Sequence, residues 1–317
     1  MNRRHFLRSF TPVLTLRALA AGEAAGTEAV DYTTFDGAKV RLYPWRGEKI
    51  AFLTQSAGLD PALMAGLCGV FDKIHAFYRE ATGREPARAR IFEGRLPVAV
   101  VDRTCGAACG YLGATGIELT PGCFTELHDG WQKGGTIDQA PPYEFGRNFW
   151  FYSPQLAYKK PVTDRSVVTG YAVFMRLMAL DAAGAKLGPF RDKSGAEFRR
   201  IMESLVDLYE ADPVLTWENT LKIDAAPENP LGLNGTDLFA SFCLRLARDH
   251  GGLDFVKRLW PAAATRPAAQ STEDAIDNFV VAASMAARKD LASLFADRWR
   301  WPVSTSARAA CAKTAQQ

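Results

Sequence analysis

The spacing of apolar residues changes part-way along the chain. Lys39–Leu42 and Lys49–Thr54 alternate or run apolar and predict strands. From Asp60-Pro61 to about Thr82, Leu63, Leu67, Val70, Phe71, Ile74, Phe77 and Tyr78 recur at three-and-four spacing. That predicts a helix capped by Asp60, opened by Pro61 and closed by Gly83. Ala89–Phe92 and Pro97–Asp102 predict two more strands, and Tyr111–Leu119 a glycine-interrupted edge strand. After a polar loop, Tyr143–Tyr152 predicts a helix entered through Pro141-Pro142. From there the pattern turns helical: Val167–Ala183, Ser194–Tyr209, Thr236–Asp249, Leu253–Trp260, Thr272–Ala287 and Leu291–Trp299. Strands first and helices afterwards imply an α+β protein. A mixed-sheet half over 26–160 precedes a mainly helical half over 161–317, joined near SPQLAYKKPVTD. The cleft between the halves is the natural place for a site.

Composition narrows the classes. Of 317 residues, 48% are hydrophobic and 23% charged, with a net charge of +3. A disordered tail, a collagen-like repeat and a strongly basic nucleic-acid wrapper are excluded. The basic residues are dispersed, so there is no nucleic-acid footprint. No uninterrupted apolar run reaches the roughly 18 residues of a transmembrane segment. Gly106–Gly116 holds four glycines but lacks the strand-to-helix context of a phosphate loop.

The first residues bear on location. Arg3-Arg4-His5-Phe6-Leu7-Arg8 resembles a twin-arginine export signal, followed by a short apolar stretch and a small-x-small site at Ala18-Leu19-Ala20. Residues 1–25 then form a signal peptide, and the mature protein is periplasmic or extracellular. An oxidising compartment permits disulfides. Cys105, Cys109 and Cys123 are close enough for one bridge, with Cys105–Cys123 and Cys109–Cys123 both open. Cys68 and Cys243 read as buried thiols, and Cys311 falls in a polar tail.

Candidate chemistry centres on Tyr143-Glu144-Phe145-Gly146-Arg147-Asn148. Strand, loop and helix over 111–152 follow the zincin layout, and this hexapeptide resembles H-E-x-G-H-N with both histidines changed. The resemblance is to the gluzincin metallopeptidases of the enhancin-like, mucin-targeting kind, and covers roughly residues 90–305. Ser166-Val167-Val168-Thr169-Gly170-Tyr171 is similar to that family's Glu-x-Thr-Asn segment, which would set Val167 or Val168 in the third-ligand position. Leu238–Phe242, Gly252–Leu259 and the stretch from Ser271 to Ser304 resemble its later helices. The resemblance implies a zincin-like fold with a degenerate site that has no metal and no cofactor. Tyrosine is a poor zinc ligand, arginine is a charged donor, and valine has no ligand atom.

Three functions follow. The first is a secreted, metallopeptidase-like protein that lacks zinc ligands and binds an extended glycan or peptide in the vestigial cleft. The second is a metal-independent hydrolase with Glu144 as base and Tyr143 or Arg147 stabilising the transition state. The third is an active zinc peptidase with unrecognised ligands. The candidate catalytic residues are therefore Glu144, Tyr143 and Arg147. The candidate substrate-binding residues are Tyr111 and Glu118 on the edge strand, and Asn148. A buried Arg147 requires an acidic partner, to be sought among Glu118, Asp129, Asp164 and Glu144. Glu126, His128 and Asp129 read as a solvated turn, and the aromatics from Phe149 to Tyr152 as core. Oligomeric state is not encoded in any of these patterns.

Overall fold

A computed structural model describes residues 28–314. The expected export signal over residues 1–25 lies outside them. A six-stranded mixed sheet comprises β1 (Val30–Thr33), β2 (Lys39–Arg46), β3 (Ile50–Thr54), β4 (Leu96–Val100), β5 (Ala108–Gly110) and β6 (Ile117–Leu119). Its order is β1-β2-β3-β4-β6-β5. The central pairs β3–β4 and β4–β6 are parallel, and the outer pairs, including β5–β6, are antiparallel.

Helix α1 (Pro61–Thr82) makes the crossover from β3 to β4. The Asp60 carboxylate accepts from the Leu63 N–H at 2.8 Å, and Gly83 ends the helix at φ 65°. Its buried face lies on the sheet, where Phe71 meets Phe52 edge-on at 5.1 Å. The opposite face of the sheet carries a smaller cluster around Tyr32, Leu42, Leu53 and Val101.

Three local readings change. Ala89–Phe92 forms no strand; positive φ at Glu93 and Gly94 turns the chain straight into β4, leaving one bridge between Phe92 and Arg95. Of the single strand expected over Tyr111–Leu119 only Ile117–Leu119 (β6) forms; residues 111–116, with Gly113 (φ 70°) and Gly116 (φ 99°), turn the chain back from β5, which lies before the expected range. The polar loop is helix α2 (Pro121–Gly134), whose buried Cys123, Phe124 and Leu127 show the same three-and-four spacing on a narrower stripe.

Helix α3 (Ala140–Asn148) carries the motif and α4 (Ser153–Leu156) follows. Helix α5 (Arg165–Ala183) is apolar and long enough to pass as a membrane span, yet 83% of that window is buried in the protein. Short strands β7 (Thr136–Ile137) and β8 (Lys186–Leu187) pair in parallel and tie the two halves together. Helices α6 (Gly195–Ala211), α7 (Gly235–Asp249), α8 (Leu253–Ala264), α9 (Thr272–Ala287) and α10 (Thr305–Thr314) complete the α+β fold. Capping boxes at Ser194/Glu197, Asn234/Asp237 and Ser271/Asp274 set the starts of α6, α7 and α9. The last expected helix is a π turn over Leu294–Arg298, with Trp299 and Trp301 buried around Phe242 and Phe295. Cys311 lies on α10 and is fully buried, rather than in a polar tail. One hydrophobic core runs from Trp45 to Cys311 through both halves.

Candidate functional site

Helix α3 is short and closely held. Tyr78 of α1 donates its hydroxyl to the Pro142 carbonyl at 2.9 Å. A Cβ on Gly146 would stand 2.7 Å from that hydroxyl, and one on Gly110 would stand 2.5 Å from the Glu144 carbonyl. The two glycines therefore allow α3 to seat between α1 and the edge strand β5.

Glu144 and Arg147 lie one turn apart and pair at 3.2 Å, with their side chains 13% and 28% exposed. Arg147 Nε also donates to the Gly110 carbonyl at 3.0 Å. Burial pushes Glu144 up to about 7, against the pull of Arg147 and Gly110. Of the acids considered as partners for Arg147, Glu144 is the one paired with it.

The other candidates divide. Asn148 is fully buried, its Nδ2 donating to the Tyr111 carbonyl at 3.0 Å and its Oδ1 unpartnered. It fastens the end of β5 to α3 and offers no exposed group to a ligand. Tyr111 is 49% exposed, with its ring on Phe35 at 4.6 Å. Glu118 does not face the cleft. It is fully buried, and it accepts from the Phe35 N–H at 2.6 Å, the Thr104 hydroxyl at 2.9 Å and the Tyr32 hydroxyl at 3.2 Å. Those bonds to β1 and neighbouring loops fill the carboxylate, so Glu118 holds the sheet together.

Tyr143 is half-buried under the guanidinium of Arg176, 5.9 Å from ring centre. Arg176 is 6% exposed, also lies over Phe198 at 5.7 Å, and its Nε is buried without a hydrogen-bond partner. Burial lowers its affinity for a proton, and Asp237, itself pushed up by burial, acts on it most among the nearby acids. The α5 side chain that meets Tyr143 is thus Arg176, two turns beyond Val167 and Val168. The sequence signal was available, because Arg176 and Asp181 are the two charged residues between Val167 and Ala183.

This donor set does not suit zinc. At Tyr143 and Arg147, the positions the resemblance would give to histidines, stand a phenol facing one guanidinium and a second guanidinium already donating to Gly110. Among the described residues, no three His, Cys, Asp or Glu side chains converge on a possible metal position.

A cleft of about 600 Å3 opens at the start of α3. One wall is α2 with Cys123, Glu126 and Lys133; the floor carries Asp138 and Gln139; the other wall is Pro189-Phe190-Arg191 past β8. Asp129 is paired with Lys133 at 2.8 Å, while Glu126 remains exposed. The disulfide joins Cys105 to Cys109, which was neither expected pairing, and Cys123 is a buried free thiol. Burial, with Asp138, Glu126 and Glu144 nearby, pushes Cys123 up to about 12. Phe190 and Asp138 lie outside the expected site, because neither the turn after β7 nor the loop after β8 carries a motif.

No protein-family model matches the chain, and no curated protein matches it. Solved structures similar to this chain include two from one organism. One is a mutant of a functionally unknown conserved protein from Bacillus anthracis str. Ames, with TM-score 0.55 and 13% identity, covering 86% of this chain and 51% of that one. The other, a functionally unknown conserved protein from the same organism, has TM-score 0.50 and 12% identity, covering 84% and 50%. The chain spans about half the length of these proteins. At such identity the likeness shows the fold alone.

Proposed function

We propose that this chain is a metal-independent binding protein on a zincin-like, gluzincin-type scaffold, exported by the twin-arginine route, and that it holds an extended glycan in the cleft at the start of α3. The observation that carries this reading is the cleft itself, about 600 Å3 bounded by both halves. Phe190 and Pro189 offer apolar surface on which a sugar ring can rest, and Glu126 and Asp138 offer acceptors for its hydroxyls. A peptide is the other extended ligand considered. Its usual mode, adding a strand to an edge, needs free backbone groups on β5. At Gly110 the carbonyl is already taken by Arg147.

The test is a glycan and peptide array followed by calorimetry on Glu126→Gln and Phe190→Ala. The expected result is glycan binding weakened about tenfold or more by each variant, with little change in melting temperature for Glu126→Gln. Unchanged affinity in both variants places the ligand elsewhere.

The metal-independent hydrolase is favoured by one observation, the proton affinity of Glu144 raised to about 7, which suits a general acid or base near neutral pH. In that reading Glu144→Gln lowers turnover of the bound glycan about 100-fold or more while the fold persists. Binding with no turnover by the wild type removes it.

A further inference from the structure

A second concavity lies between α9 and α10. It has a volume of about 720 Å3 and an apolar floor of Val281, Met285 and Ala310. A smaller cavity of about 300 Å3 adjoins it and shares Arg266, Val281 and Ser306. Arg266, Arg288 and Lys313 line the larger one, and no acidic side chain does. Among the described residues none of these three cations has an ion-pair partner within 4 Å, and Arg266 Nε is buried with no hydrogen-bond partner. The smaller cavity does contain Asp274 and Asp277, but both are engaged. Asp274 accepts from the Gln270 and Ser271 N–H groups, and Asp277 from the N–H and hydroxyl of Ser304.

An ordinary reason exists for cations here. Arg266, Arg288 and Lys313 stand at the C-terminal ends of α8, α9 and α10. Each helix end carries roughly −0.5 of a charge. Along the larger groove, which no acidic side chain lines, three full positive charges exceed that sum by about 1.5, while Asp274 and Asp277 keep their negative charge in the adjoining cavity. Some of the end carbonyls are also satisfied by the chain, as where the Arg266 N–H meets the Ala263 carbonyl at 3.1 Å and the Arg288 N–H meets that of Met285 at 3.2 Å.

We propose that this groove binds an amphiphilic anion, with a carboxylate or phosphate head at Arg266, Lys313 and Arg288 and an apolar body over Val281 and Met285. The volume suits a small ligand. Arg266 is half-buried, so a free molecule reaches its guanidinium where the flat surface of a bilayer does not. The site is separate from the α3 cleft, and its test is independent of that reading.

The experiment is calorimetric titration of the full chain with sodium dodecanoate below its micellar range and with dodecyl phosphate, against neutral dodecanol and cationic dodecyltrimethylammonium. The expected result is one-to-one binding of the two anions alone. Arg266→Gln should weaken it about tenfold or more, because it removes a charge-assisted contact. Ala309→Trp, at an exposed position in the groove, should abolish it by filling the space, and it preserves the test if Arg266→Gln folds poorly. Equal binding of the neutral or cationic amphiphile, unchanged affinity in both variants, or a dissociation constant weaker than about 1 mM overturns the proposal. So does co-sedimentation with phosphatidylglycerol vesicles without binding of either free anion, which would assign the basic groove to a membrane surface.

Discussion

Glu144 and Arg147 pair at 3.2 Å across one turn of α3, and Arg147 also holds the Gly110 carbonyl on the edge strand. The pair that occupies the heart of the motif therefore closes the strand edge as well as neutralising itself. Its energetics should be visible in stability. Arg147 is partly exposed, so its removal falls short of the cost of breaking a fully buried pair. Arg147→Met is expected to cost about 1–3 kcal/mol at pH 8, where Glu144 is ionised, and less at pH 5, where a protonated Glu144 no longer needs the guanidinium. Urea denaturation at the two pH values measures the difference. An equal cost at both would mean that the pair contributes nothing.

The pH dependence of Glu144 has a defined sign. Its folded-state value is raised from 4.5 to about 7, so between those limits the folded protein holds more proton than the unfolded chain. Stability from this group is present below about 4.5 and is lost as pH rises through about 7. The full effect is on the order of 3 kcal/mol at most. Glu144→Gln should flatten the stability profile in that window. A wild-type and variant profile of the same slope between pH 4.5 and 7 would contradict the assignment.

Glu118 is expected to be structural. Its three hydrogen bonds link β6 to Tyr32, Phe35 and Thr104 in a buried setting. Glu118→Ala leaves those donors unsatisfied and should destabilise by about 2–4 kcal/mol. Ligand affinity at the α3 cleft should be unchanged in the fraction that folds. Lost affinity with an unaltered melting temperature would return Glu118 to the binding surface.

The cysteines give a chemical check. Alkylation in denaturant without reductant should label Cys68, Cys123, Cys243 and Cys311 and leave Cys105 joined to Cys109. The small loop makes the bridge worth about 2 kcal/mol. Peptide mapping that recovers Cys123 in a disulfide would refute the observed pairing.

Much of this organisation could be read from the residues. Asp60, Pro61 and Gly83 mark the ends of α1, because caps and dense apolar stripes are local signals, whereas the motif helix, expected over Tyr143–Tyr152, runs Ala140–Asn148 and has no side-chain cap to mark its start. Helix α2 was hidden because only Cys123, Phe124 and Leu127 are buried on it, so its stripe is diluted by polar residues. The β5–β6 pair was hidden because each strand has three residues, too few to show a period. Glu118 and Arg176 owe their environments to elements distant in sequence: Tyr32 lies 86 residues from Glu118, and Phe198 is contributed to Arg176 by another helix. No local pattern carries such contacts. The Cys105–Cys109 bridge has no local signal for a related reason, since the choice of partner depends on how the chain turns into β5.

The most direct test of the central reading is calorimetric titration of an array-selected glycan into the full chain, with and without EDTA, alongside Glu126→Gln. Equal affinity with and without chelator, falling about tenfold or more in the variant, is the predicted result. Binding that vanishes with EDTA and returns with zinc, or that ignores the substitution at Glu126, would contradict it.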